Sequence, residues 1–286
     1  MRNSAIISAA ILLLILIFWA GFAANFPGEA LSRVVAARLN RLPNIEARLS
    51  PASLGLMSIS MDELGINLAQ QGQKLIVLED VRIPFTWSLF SGLPVEAGIG
   101  EAGGLELFIP WEEGELTVNG TELRIEDIPG VAAMKPATLS GNFAFSGKFQ
   151  ITGKSASGRG GGLPEGELTA RAQKLQLARF AVMGTTLPPA RLESAELTVK
   201  TGKRINVEKL ALRGDVQGGL EGYILPRPSA FAASPIQLKV TVSFKESWLQ
   251  KLGALRPLVD GFLKNGRLEA DLRGSVGKPS FIPAGR

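Results

Sequence analysis

Two short stretches of this sequence carry residue types with chemical potential. The first, residues 98–103, reads GIGEAG and fits the spacing G-x-G-x-x-G of dinucleotide-binding loops. That use requires a helix directly afterwards, because the pyrophosphate binds at a helix N-terminus. The residues that follow, LELFIP, alternate like a strand instead. We therefore interpret residues 98–103 as a turn between strands and not as a nucleotide site.

The second stretch, residues 111–115, reads WEEGE and groups three carboxylates. Clustered carboxylates can bind a cation or act as an acid/base pair, but the spacing here is not that of a calcium-binding loop. We interpret the stretch as a solvated hairpin turn.

The 286 residues include no Cys and no His. These absences exclude disulfides, cysteine nucleophiles, Cys/His zinc sites and an imidazole base. Carboxylate pairs and Ser-Lys pairs remain as routes to an enzyme, but no spacing points to either. We therefore expect a protein that is not an enzyme, with no catalytic, cofactor-binding or metal-binding residues and no cofactor.

The net charge of +5 conceals an uneven distribution. Residues 44–130 contain 14 acidic and 4 basic side chains, whereas residues 140–213 contain 12 basic and 5 acidic ones. The charges alternate with apolar residues, which is typical of solvated strand faces, although attraction between the two regions or a charged partner would also fit. The basic residues are too few, and too poor in aromatic neighbours, for a nucleic-acid surface.

A membrane anchor is indicated by residues 5–24, AIISAAILLLILIFWAGFAA, which carry no charge over 20 residues. A helix of that length spans about 30 Å, the thickness of the hydrocarbon core. The alternative is a signal peptide cleaved near GFAA, but the apolar run is longer than usual for one. We divide the chain into an anchor, residues 1–25, and a β-rich domain, residues 26–286. We place the N-terminus in the cytoplasm and the large domain outside it.

An amphipathic helix is predicted directly after the anchor, over residues 29–42, between Pro27 and Pro43. Two interpretations remain open for it. Its arginines would lie on anionic headgroups in one, and the helix would close an end of a β core in the other.

From residue 45 onward the pattern is almost entirely that of strands. In residues 236–245, IQLKVTVSFK, apolar and polar side chains alternate strictly, as in a strand with one buried face. Residues 205–212 change phase, which predicts a β-bulge at Glu208-Lys209. Asn119-Gly120 lies between two apolar runs and predicts a hairpin turn.

A late helix is predicted over residues 248–263, capped by Ser247 and kinked or split by Pro257. Asn265-Gly266 should end it and make the turn into the closing strand. A flexible Gly-rich loop is expected at about residues 153–166. The chain should close with one edge strand in residues 267–281, stopped by Pro279.

Together these patterns predict a mainly β fold. One N-terminal transmembrane helix should be followed by a large, twisted, mostly antiparallel sheet, curled or partly closed, with one or two accessory helices.

The order of these features resembles the type II secretion system protein N family, in the form with a single N-terminal anchor. The likeness covers nearly the whole chain and rests on weak patterns. Its segments are NFPGEAL (25–31), VRIPFTWSLFSGLP (81–94), GELTARAQKLQL (166–177), LALRGDVQGGLEGYILPRP (210–228) and GRLEADLRGSVGKPSF (266–281). None is catalytic, so the resemblance supplies no site residues.

The resemblance implies a non-enzymatic accessory component of type II secretion in a Gram-negative bacterium. Such a protein is a single-pass protein of the inner membrane, with its bulk in the periplasm, and its partners are other secretion subunits. The closing segment is also similar to the ends of AsmA- and TamB-type envelope proteins, which have an open, curled sheet. That likeness implies the alternative function, tethering or conducting lipid along the sheet.

The strand in residues 236–245 gives a first prediction. Val240→Asp should lower the thermal midpoint of the protein strongly, because it places a charge on the apolar face, whereas Thr241→Asp on the other face should have a mild effect. Equal shifts of the two midpoints would contradict the assignment of faces.

Overall fold

The computed structural model describes residues 26–40, 45–55, 57–68, 73–128, 138–151, 164–178, 180–182, 185–227, 230–261 and 263–283. The predicted anchor, residues 5–24, and most of the predicted Gly-rich loop lie outside these ranges. The strand that follows this loop begins at Glu165. Within the described ranges, no helix has both the length and the apolar character needed to cross a membrane.

One antiparallel sheet of 15 strands dominates the fold. Its strands are β1 Ile45–Leu49, β2 Ser53–Leu54, β3 Ser58–Leu68, β4 Gln73–Pro84, β5 Gly92–Ile99, β6 Gly103–Pro110, β7 Gly114–Arg124, β8 Thr138–Ile151, β9 Glu165–Ala178, β12 Ala190–Thr201, β13 Ile205–Gly214, β14 Val216–Ile224, β15 Pro235–Phe244, β16 Arg267–Ser275 and β17 Lys278–Pro283. A separate hairpin, β10 Phe180–Val182 and β11 Thr185–Leu187, lies between β9 and β12 in the chain.

The strand order follows the chain, so nearly every strand pairs with its sequence neighbour. The prediction of a mainly β, antiparallel fold is confirmed. The sheet is not closed, because β1 and β17 lie at opposite ends of the strand order and do not pair with each other. Three α-helices accompany it among the described residues: α1 Gly28–Leu39, α2 Glu246–Lys251 and α3 Arg256–Asp260.

Two local predictions are confirmed in the second half of the sheet. In β15, Ile236 and Leu238 are buried while Gln237 and Lys239 are exposed, as the alternation requires. The predicted bulge is present, because the pairing of β13 with β14 shifts between Val207 and Leu210. The extra residue restores the apolar phase on the far side of the bulge.

The described residues contain two clusters of buried apolar side chains. The larger one joins the N-terminal strands and consists of Ala52, Met61, Leu78, Val81, Ala97, Ile99 and Leu123. The smaller one consists of Ala190, Trp248, Leu249 and Leu252, where α2 packs against the sheet.

Helix α1 packs on the N-terminal edge of the sheet. The Ser32 hydroxyl donates to the Ser50 carbonyl at 2.7 Å and accepts from the Ala52 N–H at 3.0 Å. Phe26, just before the helix, packs on the larger cluster. Of the two interpretations of this helix, contact with a β core is therefore the one that the structure shows.

The hairpin predicted at Asn119-Gly120 is wrong. Both residues lie inside β7, where Gly120 pairs with Phe145 of β8. A Cβ on Gly120 would lie 2.4 Å from the Phe145 ring, so the glycine makes room for a neighbouring side chain instead of a turn.

The late helix is shorter and more broken than the sequence predicts. Lys245, not Ser247, is the N-cap residue of α2, and the break falls at Gly253, which has a φ of +55°, before Pro257. The predicted turn at Asn265-Gly266 is confirmed: both residues have positive φ, as a type I′ turn requires, and Lys264 bridges to Arg267 across it.

The closing segment is a hairpin and not one edge strand. The chain turns at Val276-Gly277 and returns as β17, which pairs with β16 and forms the edge of the sheet. Pro279 lies within β17, so it does not stop the pairing as predicted.

Substitutions of two tryptophans test which side chains belong to the buried core. Trp248 is 2% exposed and stacks on Phe244 at 5.1 Å between ring centroids, whereas Trp87 is 88% exposed. Trp248→Ala should lower the free energy of unfolding by about 3–5 kcal/mol. Trp87→Ala, which removes the same side chain from a solvated site, should change it by less than about 0.5 kcal/mol. Chemical denaturation of both variants measures this, and similar losses would contradict the assignment.

Candidate binding face

The register of the sheet aligns apolar side chains across the strands. From β8 to β15, one residue of each strand lies directly opposite a residue of the next, and all point to the same face. We call this set the apolar row: Phe145, Ala170, Leu197, Leu210, Leu220 and Val240. Neighbouring strands lie about 4.8 Å apart, so the six strands give the row a length of about 24 Å.

Every side chain of the apolar row is half-buried. By contrast, Leu123 and Val81 in the N-terminal cluster are each 1% exposed. When a second layer covers an apolar sheet face, the central side chains are buried to that degree. The apolar row is therefore a partly accessible apolar surface. At one end Phe145 packs on the larger cluster, and at the other end Val240 lies opposite Ala270 of β16, which is 1% exposed.

Glycines shape the row at β14. Gly218 and Gly222 flank Leu220 on the same face and have φ values of +152° and +136°. A Cβ at either position would lie about 2 Å from a backbone oxygen of β15, at 2.0 Å for Gly218 and 2.2 Å for Gly222. Only glycine fits this backbone, so Leu220 stands between two positions that carry no side chain.

The opposite face of the sheet is polar and carries cross-strand ion pairs. They join Lys148 to Glu115 at 3.1 Å, Lys200 to Glu208 at 2.7 Å, Lys209 to Glu196 at 3.3 Å and Lys245 to Glu193 at 2.9 Å. The hydrogen bond that Lys200 donates to Glu208 raises the pKa of Lys200, and the one that Lys245 donates to Glu193 raises the pKa of Lys245. The two faces thus differ in the ligands they can accept.

A depression of about 300 Å³ lies on this polar face beside the bulge of β13. Gly219 and Ala211 form its floor, and lysine and glutamate side chains line it together. Its Glu208 and Lys209 already pair with charged groups of β12. The mixed charges at this position give no preference for a ligand of either sign.

Both stretches that the sequence singled out for chemistry are hairpin turns. Gly100 lies in the turn between β5 and β6, with a φ of +63°, and β6 follows where a nucleotide loop would need a helix. Residues 111–113 form the exposed turn between β6 and β7. Across the described ranges, no three His, Cys, Asp or Glu residues are placed to hold a metal ion.

The sequence did not reveal the apolar row. Each strand shows its alternation locally, but the row depends on which residues lie opposite each other, and two of its strands are separated by the β10–β11 hairpin. The available signal was the repeated glycines at 218, 219 and 222, which mark a strand with unusual backbone geometry.

No protein-family model, curated protein or solved structure matches this chain.

Substitutions of two leucines test whether the side chains of the apolar row are accessible to water. Leu123→Ala removes a fully buried side chain and should cost about 3–5 kcal/mol of stability, because it leaves a cavity. Leu210→Ala should cost less than about half of that, since water already reaches the side chain. Urea denaturation compares the two. An equal loss for Leu210 would mean that the row is covered.

Proposed function

We propose that this protein is a non-enzymatic accessory component of the type II secretion system. Residues 5–24 hold it in the inner membrane, and its β-rich domain contacts other secretion subunits in the periplasm. The resemblance in the order of sequence features supports the assignment to this system. The observation that supports a binding role is the half-buried apolar row on an open sheet.

The physical reason is that a half-buried apolar face gains stability when a partner covers it. Removing apolar surface from water is favourable at about 25 cal/mol per Å². A contiguous apolar surface on a soluble face marks an interaction site in many proteins. The polar face, with its cross-strand ion pairs, offers no comparable gain.

A second candidate function is the tethering or conduction of lipid along the sheet, as in AsmA- and TamB-type proteins. The shape of the apolar row favours it. Subunit interfaces contain polar groups that fix the docking position, whereas an acyl chain needs only a continuous apolar surface. One leaflet of hydrocarbon is about 15 Å thick, half of the 30 Å core, so the row of about 24 Å exceeds one acyl chain. This function requires a curled sheet.

Photo-crosslinking in bacterial membranes tests both functions. A photoreactive amino acid replaces Leu210 of the row in the full chain, and a matched control replaces Ala211, which faces the polar side of the same strand. A secretion subunit captured at position 210 and not at 211 would support the first function. A phospholipid captured with the same preference would support the second. Equal capture at the two positions would contradict the assignment of the apolar row as the binding face.

The genes next to this one supply an independent check. Pseudopilin, secretin and secretion-ATPase genes in the neighbourhood are expected for the first function. A neighbourhood without them would weigh against the secretion assignment and leave the lipid function standing.

A further inference from the structure

A group of large apolar side chains lies fully in solvent at one end of the N-terminal strands. We call it the aromatic patch: Trp87, 88% exposed, Phe90, 82%, Trp111, 58%, and Met57, 70%. Aromatic side chains of this kind bury about 150–250 Å² each when they have a partner. Three such rings together with the exposed Met57 therefore need an explanation, unlike a single exposed leucine.

The residues of the aromatic patch are held in place by contacts within the protein. Trp87 and Phe90 belong to one 3-10 helix, Trp87–Phe90, and their rings stack with centroids 5.8 Å apart. The Trp111 indole N–H donates to the Leu89 carbonyl at 2.6 Å, so its one polar atom is satisfied and its ring remains exposed. The Phe85 N–H donates to the Met57 carbonyl at 2.7 Å, which ties Met57 to the same corner.

The position of the aromatic patch in the sheet indicates what kind of partner it contacts. The loops that carry it lie at the end of the sheet where β3 begins and β4 ends, since Ser58 pairs with Pro84. The first described residues reach the same end: the Ala52 N–H donates to the Gly28 carbonyl at 3.4 Å, and Ala52 leads into β2, which pairs with the first residues of β3. The described chain therefore begins at the same end of the sheet as the aromatic patch.

We propose that the aromatic patch docks into the headgroup region of the membrane next to the anchor. This inference rests on the proposed function, in which residues 5–24 insert into the membrane. Tryptophan and phenylalanine suit that region because their rings bury among lipid chains while the indole N–H keeps a polar partner.

The charge around the patch specifies the kind of lipid surface. Glu112 and Glu113 are exposed next to Trp111, and residues 44–130 carry 14 acidic and 4 basic side chains. Anionic headgroups would repel this region, so the surface that fits is zwitterionic. The docked patch gives the domain a second attachment besides the anchor, which fixes the N-terminal strand ends against the bilayer.

Four tryptophans make the proposal measurable in the full chain: Trp19 in the anchor segment, Trp87 and Trp111 in the patch, and buried Trp248. Every variant keeps Trp248, because the core depends on it. Phenylalanine replaces the others so that three proteins retain Trp19, Trp87 or Trp111 besides Trp248, and a fourth retains Trp248 alone. Each is reconstituted in phosphatidylcholine vesicles whose acyl chains carry bromine close to the headgroup.

We expect the brominated lipid to quench the fluorescence of Trp87 and Trp111. The emission of both should also shift to shorter wavelength relative to the protein unfolded in denaturant without detergent. Trp19 should be quenched as well, and the protein with Trp248 alone should keep its fluorescence. Replacing the lipid by its unbrominated form should abolish all quenching.

The other outcomes separate the two proposals. Quenching of Trp19 without quenching of Trp87 and Trp111 would overturn the docking of the patch and leave the anchor intact, as expected if a protein partner covers the patch instead. Absence of quenching at Trp19 would overturn the membrane anchor and thus the proposed function. Equal quenching of Trp248 would show that lipid contacts the domain indiscriminately, which also overturns the specific docking of the patch.

Discussion

The cross-strand register is the constraint on which the rest of this structure depends. Side chains alternate between the faces of a strand, so a shift of one residue would turn a whole strand's apolar side chains to the polar face. Bulges keep the phase, and three of them contain a non-glycine residue with positive φ: Asp80, Glu122 and Lys174. The backbone cost of these residues is offset because every later strand stays in phase.

A sheet kept in phase over so many strands acquires one long apolar face. Phe26 and the N-terminal strands bury one part of it around Leu123, and α2 buries another around Trp248. The six side chains of the apolar row remain half-buried. Stability is therefore concentrated at the clusters, which leaves the middle of the face free to bind without unfolding the rest.

Local sequence patterns predicted the features that depend on few residues. The alternation of β15, the bulge at Glu208-Lys209 and the turn at Asn265-Gly266 each follow from adjacent side chains and backbone preferences. The hairpin turn predicted at Asn119-Gly120 was wrong because Gly120 is needed to make room for the Phe145 ring on the next strand. The apolar row and the aromatic patch depend on contacts between distant segments, which one sequence read alone does not specify. The anchor, residues 5–24, remains a prediction.

The two apolar surfaces of the molecule differ in composition, and the difference argues for different partners. The apolar row is mostly aliphatic, lies along the face of the sheet and has no indole or hydroxyl group among its six members. The aromatic patch lies at the strand ends, and its Trp111 keeps an N–H paired within the protein. An aliphatic surface matches acyl chains or the apolar core of a subunit, whereas exposed indole rings match the boundary between lipid and water. If the strand ends dock on the bilayer as proposed, the sheet face stays clear of it, so that the row is accessible to a partner.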